Sequence, residues 1–157
     1  MDRYSARKQT KLKRQSQHCK VFEMKIDNSH LSQSSLNHLF KLFREAKWFY
    51  NYCLSHQNVN DADYKAKSVP VKTPEGIEDR TFTVLKGQMK QSIKARIFDN
   101  IMGLSELKKK GHRVGRLKFK KQVNSIPLVQ MGTAKHSGTY YLDKSKSRIR
   151  IQGMAQW

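Results

Sequence analysis

Apolar and polar positions change rhythm several times along this chain, and each rhythm predicts a different element. Over 19–27, CKVFEMKID, the two classes alternate. Period two predicts a strand with Phe22, Met24 and Ile26 on its buried face, ended by Asn28-Ser29. Ser32 or Ser34 then offers a helix N-cap. Leu36, Leu39, Phe40, Phe43, Ala46, Tyr50, Cys53 and Leu54 recur at three- and four-residue spacing, which predicts an amphipathic helix of about six turns. Leu42, Trp48, Phe49 and Tyr52 fall off that stripe. A helix with aromatics on more than one face packs on two sides, and nucleotide is a candidate for one of them.

From 55 to 82 the periodicity is lost. Pro70, Pro74 and Gly76 sit among Asp61, Asp63, Glu75, Glu78 and Asp79, and the stretch reads as a breaker-rich acidic loop. A second helix follows from about 83 to 110, on the stripe Leu85, Met89, Ile93, Ile97, Ile101 and Leu104. Gly111 is its C-cap, and Lys108, Lys109 and Lys110 stand at the negative end of the helix dipole. Beyond it, 114–120, 126–130, 139–143 and 148–152 read as short strands, with a hairpin turn at Asp143–Lys146. No internal repeat is visible.

Charge changes this picture. The chain has 157 residues, 32 Lys and Arg against 12 Asp and Glu, and a net charge of +20. Only 37% of it is apolar, below the usual ~45–50%, so the core is thin. A compact domain at that charge repels itself and calls for a polyanion. Nucleic acid fits better than a membrane, because the longest apolar runs are three residues, such as Trp48-Phe49-Tyr50. That excludes a transmembrane helix and a signal peptide. Two cysteines, Cys19 and Cys53, do not make a disulfide scaffold and point to a reducing, intracellular setting.

The basic residues concentrate at two places. Seven of the first twenty residues are Lys or Arg, so 1–17 reads as a disordered basic arm. KKKGHRVGRLKFKK, from Lys108 to Lys121, holds eight Lys or Arg in fourteen residues, with Val114, Leu117 and Phe119 threaded through it. If this segment enters a strand, the apolar residues anchor it while Arg113, Arg116, Lys118, Lys120 and Lys121 face phosphates. Exposed aromatics can stack on unpaired bases.

Catalytic chemistry is not legible. There is no nucleophile–base set, P-loop or dinucleotide fingerprint. Cys53 and His56 have only part of a zinc-ligand pattern. Metal-dependent phosphodiester cleavage needs clustered carboxylates, and one acid, Asp143, lies beyond Glu106. No catalytic residue, metal ligand or cofactor is assigned.

The order strand, long helix, long helix, basic turn, strands places two helices inside a β unit. FEMKIDNSHLSQSSLNHLFKLFREAKWFYNYCLS, with Arg44, Tyr50, Asn51 and Leu54, is similar to the opening of TnpB (OrfB) transposon-encoded proteins. LKGQMKQSIKARIFDNIMGLSELKKKGHRVGRLKFKK resembles that family's second long helix and its following turn, through Val114, Gly115, Phe119 and Lys120. Leu117 stands where the family has a proline, and Ile26-Asp27-Asn28 where it has Leu-Tyr-Pro. The resemblance covers about 20–157.

It implies an α+β fold: a small β-barrel-like wedge domain (18–30 and 113–157) with an inserted helical recognition domain (31–112), behind the arm at 1–17. It implies an RNA-guided system in the cytoplasm, at the nucleoid, with a transposon-derived guide RNA and target DNA as partners. Gly153 to Trp157 looks like the family's sequence just before its RuvC-like nuclease, so the catalytic acids and zinc cysteines would lie beyond this chain. The expected contacts to nucleic acid are Arg44, Lys47, Trp48, Asn51 and Tyr52 on the first helix; Lys86, Lys90 and Gln91 near the start of the second, facing target-adjacent DNA; and Arg113, Arg116, Lys118, Lys120 and Lys121. The leading expectation is a binding half without its own nuclease. Two other readings stay open: a subunit that cuts with a RuvC-bearing partner chain, and an unrelated basic DNA- or RNA-binding structural protein.

Overall fold

The computed structural model describes residues 31–129, 138–143 and 148–151, together with Gln9, Leu12, Gln15, Ser16 and the odd-numbered positions from 21 to 29. The chain divides into two units, 1–30 and 31–157. In the first, Gln9, Leu12 and Gln15 are helical and exposed, and Ser16 N donates to Leu12 O at 3.2 Å. Val21, Glu23, Lys25 and Asp27 are exposed and carry no strand. Phe22, Met24 and Ile26, the expected buried face, lie outside the described residues.

The second unit is mixed α and β. Its described elements run α1 (Gln33–Ser55), a 3-10 turn (Val59–Asp61), β1 (Ser68–Thr73), β2 (Gly76–Thr81), α2 (Gly87–Lys109), β3 (Tyr140–Asp143) and β4 (Arg148–Ile151). Ser32 caps α1 as its chemistry predicts, its side chain accepting from Ser35 N at 3.2 Å. Gly111 follows α2 at φ 83°, a left-handed conformation that closes the helix at little cost for glycine.

The buried face of α1 is rotated from the expected one. Leu42 and Phe49, placed off the stripe by spacing, are core residues beside Ala46, Tyr50 and Cys53. Phe40, placed on it, is 64% exposed. Aromatics on both sides of a helix make the apolar stripe ambiguous by about one residue, and packing against α2, β1 and the 3-10 turn decides it. Phe49 is fully buried, edge-on to Phe82 at 6.0 Å and 74°. From α2 come Met89, Ile93 and Ile97. The outer half of that helix leaves Phe98, Ile101, Met102 and Leu107 exposed.

The stretch read as a loop contains a hairpin. β1 pairs antiparallel with β2, from Ser68↔Thr81 to Thr73↔Gly76. Pro74 presets the backbone of the turn, and Gly76 takes φ 138°, where an L side chain is strained. Two α2 lysines hold the chain that leads into it. Lys94 Nζ donates to Asn60 O and Ala62 O at 2.8 and 2.6 Å, and Lys90 Nζ to Ala66 O at 2.6 Å.

The C-terminal hairpin is where the sequence places it: β3 and β4 pair antiparallel, Tyr140↔Ile151 to Asp143↔Arg148. Among the described residues the strands expected over 114–120 and 126–130 are absent, Gln130 itself lying outside them. Among the described residues both sheets are two-stranded and neither closes into a barrel. Among the described residues the segment 113–129 has no neighbouring strand and is held by side chains.

Burial pushes the Cys53 thiol up to about 12, against a smaller opposing pull from Lys94. The thiolate is the reactive form. Alkylation of the native protein at pH 8, followed by peptide mass mapping, should therefore leave Cys53 unmodified, with full modification in denaturant. Rapid native labelling of Cys53 would show that this core opens readily.

Candidate nucleic-acid interface

Asn37, Phe40, Lys41, Arg44 and Lys47 recur at three and four residues on α1, so they share one face. Successive turns set them about 5.4 Å apart along the axis. This face forms one wall of an open cleft of about 990 Å³. Lys121, Gln122, Val123 and Asn124 form the other. Four cations, an exposed phenyl ring and three side-chain amides line the space, and among the described residues no acid does. Among the described residues none of Lys41, Arg44, Lys47 and Lys121 has a carboxylate partner.

The second wall is positioned by Asn51. Its amide is paired with the backbone of Lys120: Nδ2 donates to Lys120 O at 3.0 Å, and Lys120 N donates to Oδ1 at 2.8 Å. The side chain thus does for one residue what a neighbouring strand would do. The Lys120 ammonium stands 4.5 Å from the centre of the Tyr50 ring. Val123 is buried in the core and Leu117 packs half-buried against it, whereas Phe119 is exposed. Arg96 adds a bond to Ser125 Oγ at 3.2 Å.

Beside this face, on the side of α1 that turns to the core, stands Glu45, which is fully buried. Its carboxylate accepts from Thr83 N and Oγ1 at 3.0 and 2.8 Å, from Val84 N at 3.0 Å and from Leu85 N at 2.7 Å. Burial alone would raise its pKa, but these donors outweigh burial and hold it below the ordinary glutamate range. They also explain why α2 begins at Gly87 rather than near 83. The amides of Thr83, Val84 and Leu85 are bound to the carboxylate in the approach to the helix. Glu45 thereby fixes the start of α2 to the middle of α1.

The chain matches no protein-family model, no curated protein and no solved structure.

Of the expected contact residues, the fold brings Arg44, Lys47 and Lys121 together in the cleft. Trp48 is half-buried on α1. Asn51 and Lys120 are joined to each other and set the wall. Tyr52 packs on Phe49 and on His56, with ring centres 6.0 and 4.7 Å away. Lys86 is exposed just before α2, its ammonium 3.4 Å from Thr83 O. Lys90 is only 5% exposed, and its ammonium lies 3.8 Å from the centre of the Phe82 ring. Burial lowers its pKa, with Glu45 pulling the other way. With that ammonium bonded inside the fold to Ala66 O, Lys90 does not face a surface ligand. Gln91 is half-buried; Arg113, Arg116 and Lys118 are exposed.

Sequence reasoning missed Lys41, Phe40 and the amides Asn37, Gln122 and Asn124. The spacing of Lys41, Arg44 and Lys47 was a usable signal for a cationic helix face. Nothing local marks Gln122 or Asn124, whose role depends on a contact across the fold. Among the described residues no three His, Cys, Asp or Glu side chains converge as a metal site would require. No helix of the described residues is long and apolar enough to cross a membrane.

Proposed function

We propose that this chain is a nucleic-acid-binding module that grips a polynucleotide in the cleft between α1 and 121–124. The acid-free convergence of Lys41, Arg44, Lys47 and Lys121 is the observation that carries this reading. Unpaired lysine and arginine side chains gain by replacing phosphate counterions, and the net charge of +20 supplies the long-range attraction. In its specific form the module is the binding half of a TnpB-like RNA-guided system. The helical pair and the β1–β2 hairpin serve as the recognition part and the C-terminal segment as the wedge-like part. Guide RNA and target DNA are its partners at the nucleoid, and it has no cutting site of its own.

The test is to purify the chain under native conditions, extract its nucleic acid and sequence it. One defined, transposon-derived RNA is the expected result. A mixture that mirrors total cellular RNA would remove the guide-RNA reading and leave a general clamp. Absence of bound nucleic acid, with no binding of added oligonucleotides at 0.05 M salt, would remove both. A second reading is favoured by Phe98, Ile101, Met102 and Leu107, exposed on the outer half of α2. These suit a protein surface, such as a nuclease-bearing chain that cuts what this module holds.

A further inference from the structure

We infer that the cleft takes a single-stranded segment, with one unpaired base stacked on the Phe40 ring and its edge met by Asn37, Gln122 and Asn124. The inference rests on the proposed binding function and sharpens it to a ligand class.

Phe40 is the reason. It is 64% exposed on an ordered helix and lines the cleft. Its cleft-lining neighbours are Asn37 one turn before, the adjacent Lys41, and Phe43 and Arg44 one turn on; Phe43 is half-buried and the others are polar. A phenyl ring this exposed, beside Lys41 and Arg44, is no part of the core. A duplex would present phosphates to Lys41, Arg44, Lys47 and Lys121 but keep its base faces stacked inside. A single strand offers both, since its phosphates reach the cations while a base face covers the ring.

The amides supply the third component. Asn37 has one hydrogen bond to Gln33, whose Nε2 donates to its Oδ1 at 3.1 Å, leaving the Asn37 amine free among the described residues. Gln122 and Asn124 have no side-chain hydrogen bond among the described residues and are exposed. Each amide carries donors and an acceptor, the complement of a base edge. Unpaired bases display their Watson–Crick edge as well, which paired bases do not. Phe43 completes the floor, half-buried against the core, which fixes the helix face on which Phe40 stands.

The experiment is a double cycle with the full chain. The ligands are twelve-nucleotide single strands of RNA and of DNA, the same strands with abasic positions throughout, and the matching duplexes. The variants are Phe40→Ala and Phe40→Leu. The ring is exposed, so both variants should keep the parent melting curve and circular dichroism.

The intact single strand should bind more tightly than the duplex. Phe40→Ala should weaken it roughly 5- to 150-fold, the range for one base–aromatic stack, and Phe40→Leu should recover little. Removing the bases should cost the parent more than it costs Phe40→Ala, whose remaining loss is that of the amide contacts alone. RNA and DNA arms then assign the strand: a preference for RNA that Phe40→Ala removes places the ribose in the cleft, and equal binding makes the site a reader of bases alone. Either outcome supports the single-strand inference. Equal affinity for duplex and single strand, or equal losses from Phe40→Ala on intact and abasic strands, overturns it. If salt-dependent binding survives in that case, the broader nucleic-acid reading stands without the stack. If no oligonucleotide binds at all, both fall together.

Discussion

Glu45→Ala should destabilise the protein by at least about 3 kcal/mol. The substitution leaves the amides of Val84 and Leu85 buried without an acceptor, and each such orphan costs about 1–3 kcal/mol. It also removes both bonds to Thr83. A domain of this size has about 5–15 kcal/mol in hand, so the loss is a large share of it. Urea titration followed by helical circular dichroism measures it. An unfolding free energy within about 0.5 kcal/mol of the parent, the usual range for a surface substitution, would show that the carboxylate bonds are not what holds α2 to α1.

Acid provides an independent check. The folded pKa of Glu45 is depressed, so its contribution is complete above the unfolded value, about 4.3. It is lost as pH falls through the lower folded value. The parent should lose stability on acidification below about pH 4.3. Glu45→Gln, already weaker at neutral pH, should lose less over the same window.

Replacing Lys41, Arg44, Lys47 and Lys121 together with alanine should weaken single-strand binding on the order of 100- to 1,000-fold at 0.1 M salt. The log–log salt slope should flatten by roughly 3, about 0.7 for each lost phosphate contact on a single strand. The fold should survive, because none of the four is buried. A variant with Lys72, Lys108, Lys109 and Lys110 replaced carries the same net charge and isolates the general field of the protein. It should change the slope by no more than about one. Equal effects from the two variants would mean that charge alone matters and that the cleft has no special place in binding.

Both helices were legible before the structure, because Ser32, Gly111 and the recurring leucines and isoleucines are local signals. The phase of α1 was not. Phe40, Leu42, Phe43 and Phe49 cover too much of its circumference for spacing to select a face. The β1–β2 hairpin was hidden by Pro70 and the run of Glu78, Asp79 and Arg80, which do not read as strand, although Thr73-Pro74-Glu75-Gly76 is a turn signature. Glu45 went unread, and Lys90 was expected at the surface, for one reason. A charge on a helix looks solvated until the chain brings its partners from 38–40 and 24 residues away. The same holds for Asn51, which was expected to touch nucleic acid and instead holds Lys120, 69 residues on. Arg44, Lys47 and Lys121 were legible by charge, while their convergence depended on that long-range pair.

From 113 to 129 no backbone-to-backbone hydrogen bond forms among the described residues, and the Lys120 amide is the one there with a protein acceptor. A nuclear-magnetic-resonance spectrum should therefore show a single slowly exchanging proton in a run of fast ones. That proton is a natural gauge of the far side of the cleft. It will persist while the segment is seated and vanish when it lifts, so the traffic of a ligand in and out can be timed without attaching a label to the protein.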